Sequence, residues 1–154
     1  MHGRHPETGV LADGVHRLPV RVYYEDTDTA GIVYYANWLR FLERGRTEYI
    51  RALGVRQSDL LTGDDWRAFA VRRVEVDYLA PARLDDALVV ETWVEEARGA
   101  SLVMGQRVTR AGRTLIAARV RVACIDAAGK PRRIDSEVRA ALVPLAGPAA
   151  GPAR

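Results

Sequence analysis

After Trp66 the spacing of apolar residues changes from the period of a helix to that of a strand, and this switch limits the chain to one long helix followed by antiparallel strands. Trp38, Leu39, Phe41, Leu42, Tyr49, Ile50 and Leu53 fall close to a 3.6-residue repeat, Arg40, Arg44, Glu48 and Arg51 take the other side, and Gly54 offers a stop. About 18 residues at a helical rise make a rod of about 27 Å. Gly45 costs such a helix roughly 1 kcal/mol relative to Ala, so it is expected to permit close backbone approach to a sheet. Residues 58–61 are expected to add a short helical turn. Beyond Trp66, Val74, Val76 and Tyr78 alternate with Arg73, Glu75 and Asp77. Leu88, Val90 and Val94 alternate with Glu91 and Glu95, and Ile116, Ala118, Val120, Val122 and Cys124 with Arg119 and Arg121. Leu102, Met104 and Val108 face away from Arg107, and residues 97–100 and 110–113 read as tight connections between neighbouring strands. With a first strand over residues 18–24, this is an α+β plan: a five-stranded antiparallel sheet wrapped around one central helix that buries Trp38, Leu42, Tyr49 and Leu53.

The densest chemistry lies where the first strand meets the helix, in Tyr24-Glu25-Asp26-Thr27-Asp28-Thr29-Ala30-Gly31-Ile32-Val33-Tyr34-Tyr35-Ala36-Asn37-Trp38. Closely spaced carboxylates, a glycine and a helix start put an ionised group beside unpaired N–H groups, a setting in which a polarised carbonyl can be held and attacked. The purely structural alternative is that acids gather there to complement the helix dipole, an effect of about 0.3–1 kcal/mol. Gly31 suits a sharp turn with backbone close to a substrate, and Asp26 suits hydrogen bonds to its own loop.

At 154 residues the chain fits one domain. We expect a domain over residues 17–143 between flexible tails at 1–16 and 144–154, the latter almost wholly Ala, Gly and Pro. The single cysteine, Cys124, is expected to be a packed core thiol, with no disulfide possible within the chain. No apolar run reaches the roughly 18 residues of a membrane span, and residues 1–16 do not read as a secretory signal. A cytoplasmic location is therefore expected. His2, His5 and His16 match no metal-binding spacing, and no metal is expected. Residues 1–97 hold 12 basic and 17 acidic side chains, whereas residues 98–139 hold 10 basic and 3 acidic. A basic second half can receive a phosphorylated small molecule, a membrane surface or nucleic acid. The run Lys130-Pro131-Arg132-Arg133 lacks interleaved aromatics or a recognition module, so no nucleic-acid partner is expected.

The pattern D-x-D-x-x-G-x-V-Y-x-x-N in residues 26–37 resembles the signature of the hot-dog acyl-CoA thioesterases, in the branch that holds 4-hydroxybenzoyl-CoA thioesterase and the Tol–Pal-associated acyl-CoA thioesterases. Tyr78-Leu79-Ala80-Pro81-Ala82-Arg83-Leu84-Asp85-Asp86 and Arg98-Gly99-Ala100-Ser101-Leu102-Val103 are similar to segments of the Tol–Pal-associated members, and the likeness covers residues 18–143. It implies the hot-dog fold, pairing of sheet edges into homodimers that assemble into homotetramers, and hydrolysis of an acyl-CoA to a carboxylic acid and coenzyme A without a cofactor. It implies Asp28 as nucleophile or general base and the main-chain N–H of Tyr35 as donor to the thioester oxygen, with Gly31 shaping the turn. Many Tol–Pal-associated members carry histidine where Tyr35 stands here. A phenol titrates near 10, so Asp28 is expected to act without an imidazole.

Val33, Tyr34 and Ser101 are expected to line the substrate site, and Arg98, Arg132 and Arg133 to meet the coenzyme A phosphates through forked hydrogen bonds. Glu43 is the second-choice acid, because another hot-dog branch uses a helical glutamate. Two rival readings remain: a non-catalytic module that binds acyl-CoA or an acyl carrier protein, and a hot-dog hydratase, which would want a histidine beside its carboxylate.

Overall fold

The computed structural model describes residues 6–142, 144, 145 and 147. Its strands are β1 (Val10–Ala12), β2 (Val15–Arg21), β3 (Arg67–Tyr78), β4 (Ala87–Arg98), β5 (Ser101–Arg110) and β6 (Arg113–Asp126), and its helices are α1 (Asn37–Ala52), α2 (Gln57–Leu60) and α3 (Ser136–Ala141). All the strands form one antiparallel sheet in the order β1-β2-β4-β5-β6-β3. The sheet curls around α1, which buries Trp38, Phe41, Leu42, Tyr49 and Ile50 against it. Leu53, expected inside, is only half-buried at the helix end. One core cluster joins Trp38, Phe41 and Leu42 to Leu88, Val90, Val108, Leu115 and Ile116. A second joins Tyr49 and Ile50 to Val94, Leu102, Met104, Val120, Val122 and Cys124.

Gly45 sits where α1 comes closest to the sheet: a Cβ there would lie 2.6 Å from Val90 Cγ1 and 2.9 Å from Thr92 Oγ1. Beneath it Gln106, fully buried, donates from Nε2 to the Leu42 carbonyl and to Thr92 Oγ1, at 2.8 and 2.9 Å. Cys124 is packed in the core, as expected, and burial raises its thiol pKa.

The sheet has six strands rather than five. The additional strand comes from residues read as a flexible tail: β1 pairs with the start of β2 around Asp13 and Gly14, whose φ angles of 52° and 78° suit a two-residue hairpin turn. His16, also assigned to that tail, is fully buried, with Nε2 2.7 Å from the Thr8 carbonyl oxygen. Residues 1–5 of the expected tail lie outside the described residues, as do 143, 146 and 148–154. Leu145 donates its amide to Val94 O at 2.7 Å, so residues just after α3 return to β4 rather than trailing away.

The edge strand β3 changes phase at a bulge between Val71 and Arg73. Phe69 and Val71 face the helix side opposite Cys124 and Val122, whereas beyond the bulge Val74, Val76 and Tyr78 do so opposite Val120, Ala118 and Ile116. Its other edge is unpaired along all 12 residues among those described.

Candidate active site

The loop from β2 to α1 is assembled from its own acids and amides. Asp26 is 5 % exposed. Its Oδ2 accepts the Tyr23 N–H at 2.7 Å, its Oδ1 accepts Asn37 Nδ2 at 2.9 Å, and its carbonyl accepts the Tyr34 N–H at 2.9 Å. Asp26 thereby ties the strand exit to the first turn of α1, a structural task as the sequence led us to expect. Asp28 sits in a tight turn: its N–H donates to Ile32 O and its carbonyl accepts from Gly31 N, both at 3.0 Å. Gly31 has φ of 78°, a conformation that disfavours any side chain. The Asp28 carboxylate is exposed, with Oδ1 held by the Ala30 N–H at 2.8 Å and Oδ2 without a hydrogen bond among the described residues.

The Tyr35 amide was the expected donor, and of the amides at Val33, Tyr34 and Tyr35 the hydrogen bonds among the described residues leave that one unengaged. The Val33 N–H is spent on Ala82 O and the Tyr34 N–H on Asp26 O, both at 2.9 Å. The Tyr35 N–H has no partner among the described residues, although it stands at the start of α1, where the helix dipole is positive. Val33 is not a surface contact: its side chain is buried in the core beside Trp38 and Phe41. Tyr34 is exposed and packs edge-on against Tyr35 with ring centroids 4.9 Å apart. The hydrogen bond with Tyr35 is the main influence raising the Tyr34 phenol's pKa, and Asp28 is near enough to add to it. Tyr78, given no role at the site by the sequence, donates its hydroxyl to the Tyr35 carbonyl at 3.0 Å. A phenol reaching across 43 residues leaves no local trace in the sequence.

A carboxylate oxygen, a free amide and a helix N-terminus, all within residues 28–37, can together polarise a carbonyl and present it with a nucleophile or base. Within one chain that site is open. The cavity of about 50 Å³ under the middle of α1 is lined by Glu43, Arg46, Thr47, Ile50, Gln57, Phe69, Val71, Leu102, Met104 and Val122, and not by Asp28. Glu43, the second-choice acid, belongs to that cavity. So does Arg46, whose Nη1 donates to Gln106 Oε1 at 3.0 Å and whose pKa burial lowers.

The remaining expected ligand contacts gather at the opposite end of the sheet. The Asp28 loop adjoins the start of β4 through Val22 N–Asp86 O, whereas Arg98 and Ser101 flank the turn at its far end. Twelve extended residues separate the two ends by on the order of 40 Å. Ser101 lies in a small recess with Glu96, Arg98, Val103 and Arg121. Arg98 is paired with Glu96, and Arg132 with Asp65 and Asp126. Arg133 is exposed, and its carbonyl accepts from Arg67 Nη1 at 3.2 Å. A single chain therefore does not bring Arg98, Ser101, Arg132 or Arg133 to Asp28.

Residues 30–122 match the model of the thioesterase superfamily. The acyl-CoA thioesterase YbgC of Haemophilus influenzae is 46 % identical over 132 residues, covering 85 % of this chain and 96 % of the relative. A probable thioesterase from Bartonella henselae superposes with a TM-score of 0.76 at 36 % identity, covering 79 % of this chain and 99 % of that one. A 4-hydroxybenzoyl-CoA thioesterase mutant complexed with 4-hydroxybenzoyl-CoA superposes with a TM-score of 0.77, covering 84 % and 99 %; at 18 % identity it speaks to the fold alone.

Proposed function

The chain belongs to the thioesterase superfamily and is an acyl-CoA thioesterase, and we propose that Asp28 and the Tyr35 amide perform its reaction. The thioester oxygen accepts the Tyr35 N–H, which strengthens its hold as negative charge grows on that oxygen. A preorganised donor of this kind typically contributes about 2.7–4 kcal/mol in the transition state. The free Oδ2 of Asp28 either attacks the carbonyl carbon or takes a proton from the water that does. The coenzyme A thiolate then leaves without needing a strong acid. In the first route water cleaves the resulting anhydride; in the second the acid forms directly. No metal or further cofactor is required. The observation that carries this reading is an unengaged carboxylate oxygen on Asp28 together with the Tyr35 amide, which alone of the three amides at Val33, Tyr34 and Tyr35 has no partner among the described residues. Thiol release from a panel of acyl-CoAs tests it. Asp28→Asn should lose about 10²–10⁴ in kcat while still binding acyl-CoA, and unchanged turnover would remove Asp28 from the chemistry.

The working unit we propose is a homodimer paired along β3, two of which form a homotetramer. In support, β3 has a long unpaired edge, and Val71, Val74 and Tyr78 lie uncovered on its helix side. Residues directly opposite each other in an antiparallel pair share a face, and the bulge at Arg72 then restricts the register. Two copies match face for face over the full strand when Val71 meets Val74 of the partner subunit, Phe69 meets the partner's Val76 and Arg67 meets the partner's Tyr78. That register brings the cavity beneath one α1 beside the Asp28 loop of the other chain, which supports it as the acyl pocket. It also brings the Arg67–Arg133 end of one chain towards the other chain's Tyr35, which supports Arg132 and Arg133 as contacts for the coenzyme A phosphates across the interface. Light scattering should report two or four times the 17.1 kDa of one chain. Among the described residues no helix is long and apolar enough to cross a membrane. The buried free thiol of Cys124 supports the proposed reducing, cytoplasmic location.

A further inference from the structure

We propose that Tyr78 is a positioning residue for the oxyanion-binding amide of Tyr35, so that the edge strand β3 sets the geometry of the catalytic turn; this rests on the role given to that amide above. Tyr35 itself has little side-chain restraint at the start of α1. The N-cap residue of that helix is Ala36, which supplies no side-chain cap, and Tyr35 is 63 % exposed. Each neighbouring group is fixed: Tyr34 N–H by Asp26 O at 2.9 Å and Tyr34 O by Asn37 N at 2.8 Å. At Tyr35 itself the hydrogen bond that fixes the main chain is the one from Tyr78, hydroxyl to carbonyl, at 3.0 Å. The two rings add an edge-on contact with centroids 6.4 Å apart. The Tyr35 N–H shares a rigid peptide plane with the Tyr34 carbonyl that Asn37 N holds, and the Tyr78 bond anchors the next plane, so both planes meeting at the Tyr35 Cα are fixed and the free N–H has less room to tilt.

Tyr78 is itself held firmly. It lies opposite Ile116 in the β3–β6 ladder, and the next two amides, of Leu79 and Ala80, both donate to Leu115 O at 2.9 and 3.2 Å. Four residues on, the Ala82 carbonyl accepts the Val33 N–H at 2.9 Å. Residues 78–82 therefore grip the turn on both sides of Tyr34. The purely structural alternative is that Tyr78 is an edge-strand aromatic whose ring packing matters and whose hydroxyl does not.

Tyr78→Phe separates the two, because it keeps the ring and removes only the donor. We expect kcat to fall about 10- to 100-fold, the scale of a misaligned reacting group, with KM changed less than about twofold, the sign of an interaction present in the bound substrate but much stronger in the transition state. The direct readout is the infrared carbonyl band of butyryl-CoA and of benzoyl-CoA, each carrying ¹³C at the carbonyl, bound at saturation to the full-length Asp28→Asn protein. That band should be displaced to lower frequency than in solution, and adding Tyr78→Phe should return it most of the way. A displaced band that Tyr78→Phe leaves in place, or an unchanged kcat in the single variant, overturns the role of Tyr78. A band that is not displaced in Asp28→Asn alone overturns instead the role of the Tyr35 amide. Thermal unfolding of Tyr78→Phe accompanies both measurements, and the infrared arm reads bound protein only, so a modest loss of stability leaves the result interpretable.

Discussion

Gly45→Ala sets helix propensity against packing, and the structure decides the sign. On an exposed helix the change should stabilise the protein by roughly 1 kcal/mol, because alanine has less backbone freedom to lose on folding. Here the added methyl would lie 2.6 Å from Val90 Cγ1, 2.9 Å from Thr92 Oγ1 and 3.1 Å from Gln106 Nε2. None of the three can retreat into solvent, since Val90 and Thr92 are 0 % exposed and Gln106 1 %. Overpacking a filled core costs about 1–3 kcal/mol. Moving Gln106 also weakens its hydrogen bonds to Leu42 and Thr92, each worth about 0.5–1.5 kcal/mol net. Against a gain of about 1 kcal/mol, the balance is a net destabilisation of about 1–3 kcal/mol. Urea unfolding at one fixed protein concentration should show a lower midpoint with an unchanged slope, and for a chain of this size melting should fall by about 2–4 °C per kcal/mol. A Gly45→Ala protein more stable than the parent would refute the close-approach reasoning, because propensity alone would then govern the position.

Asp26→Asn should damage the turn without touching the reacting groups. The carboxylate accepts from both Tyr23 N and Asn37 Nδ2, and an amide has only one oxygen, so a donor must face a donor in a buried site. A loss of about 1–3 kcal/mol in urea unfolding, with reduced kcat, is expected; parent-like stability would contradict the arrangement. His16 gives a pH test. Burial lowers its pKa below the usual 6.5, outweighing the opposite pull of the Thr8 carbonyl and of Glu48. The folded chain thus prefers neutral imidazole. Its stabilising contribution is complete above pH 6.5 and is lost as pH falls through that value towards the lower folded pKa. The urea midpoint of the parent should drop more between pH 7.5 and 5.5 than that of His16→Gln, and parallel curves would discount the burial.

Much of the site was legible because its determinants are local. The carboxylates of Asp26 and Asp28, the positive φ at Gly31 and the helix start follow one another within a few residues, so spacing alone exposes them. The N-terminal hairpin was legible too: Asp13-Gly14 is a strong two-residue turn signal, overlooked because the flanking residues are few and mixed in polarity. The phase change in β3 was not, because the bulge at Arg72 depends on how β3 lies against β6 rather than on the local composition of β3.

From its amino acids alone this chain determines one amphipathic helix, a run of antiparallel strands, a close contact at Gly45, a packed Cys124 and an acidic turn ahead of α1. The signal for each of these lies within a turn or two of the residue concerned, where periodicity and φ preference act directly. Tertiary structure alone decided that the Tyr35 amide, unlike those of Val33 and Tyr34, has no partner among the described residues, that Tyr78 reaches the Tyr35 carbonyl, and that Arg98, Ser101, Arg132 and Arg133 stand a strand's length from Asp28. These depend on contacts between residues tens of positions apart, and such contacts arise only when α1 and the sheet close around a common core.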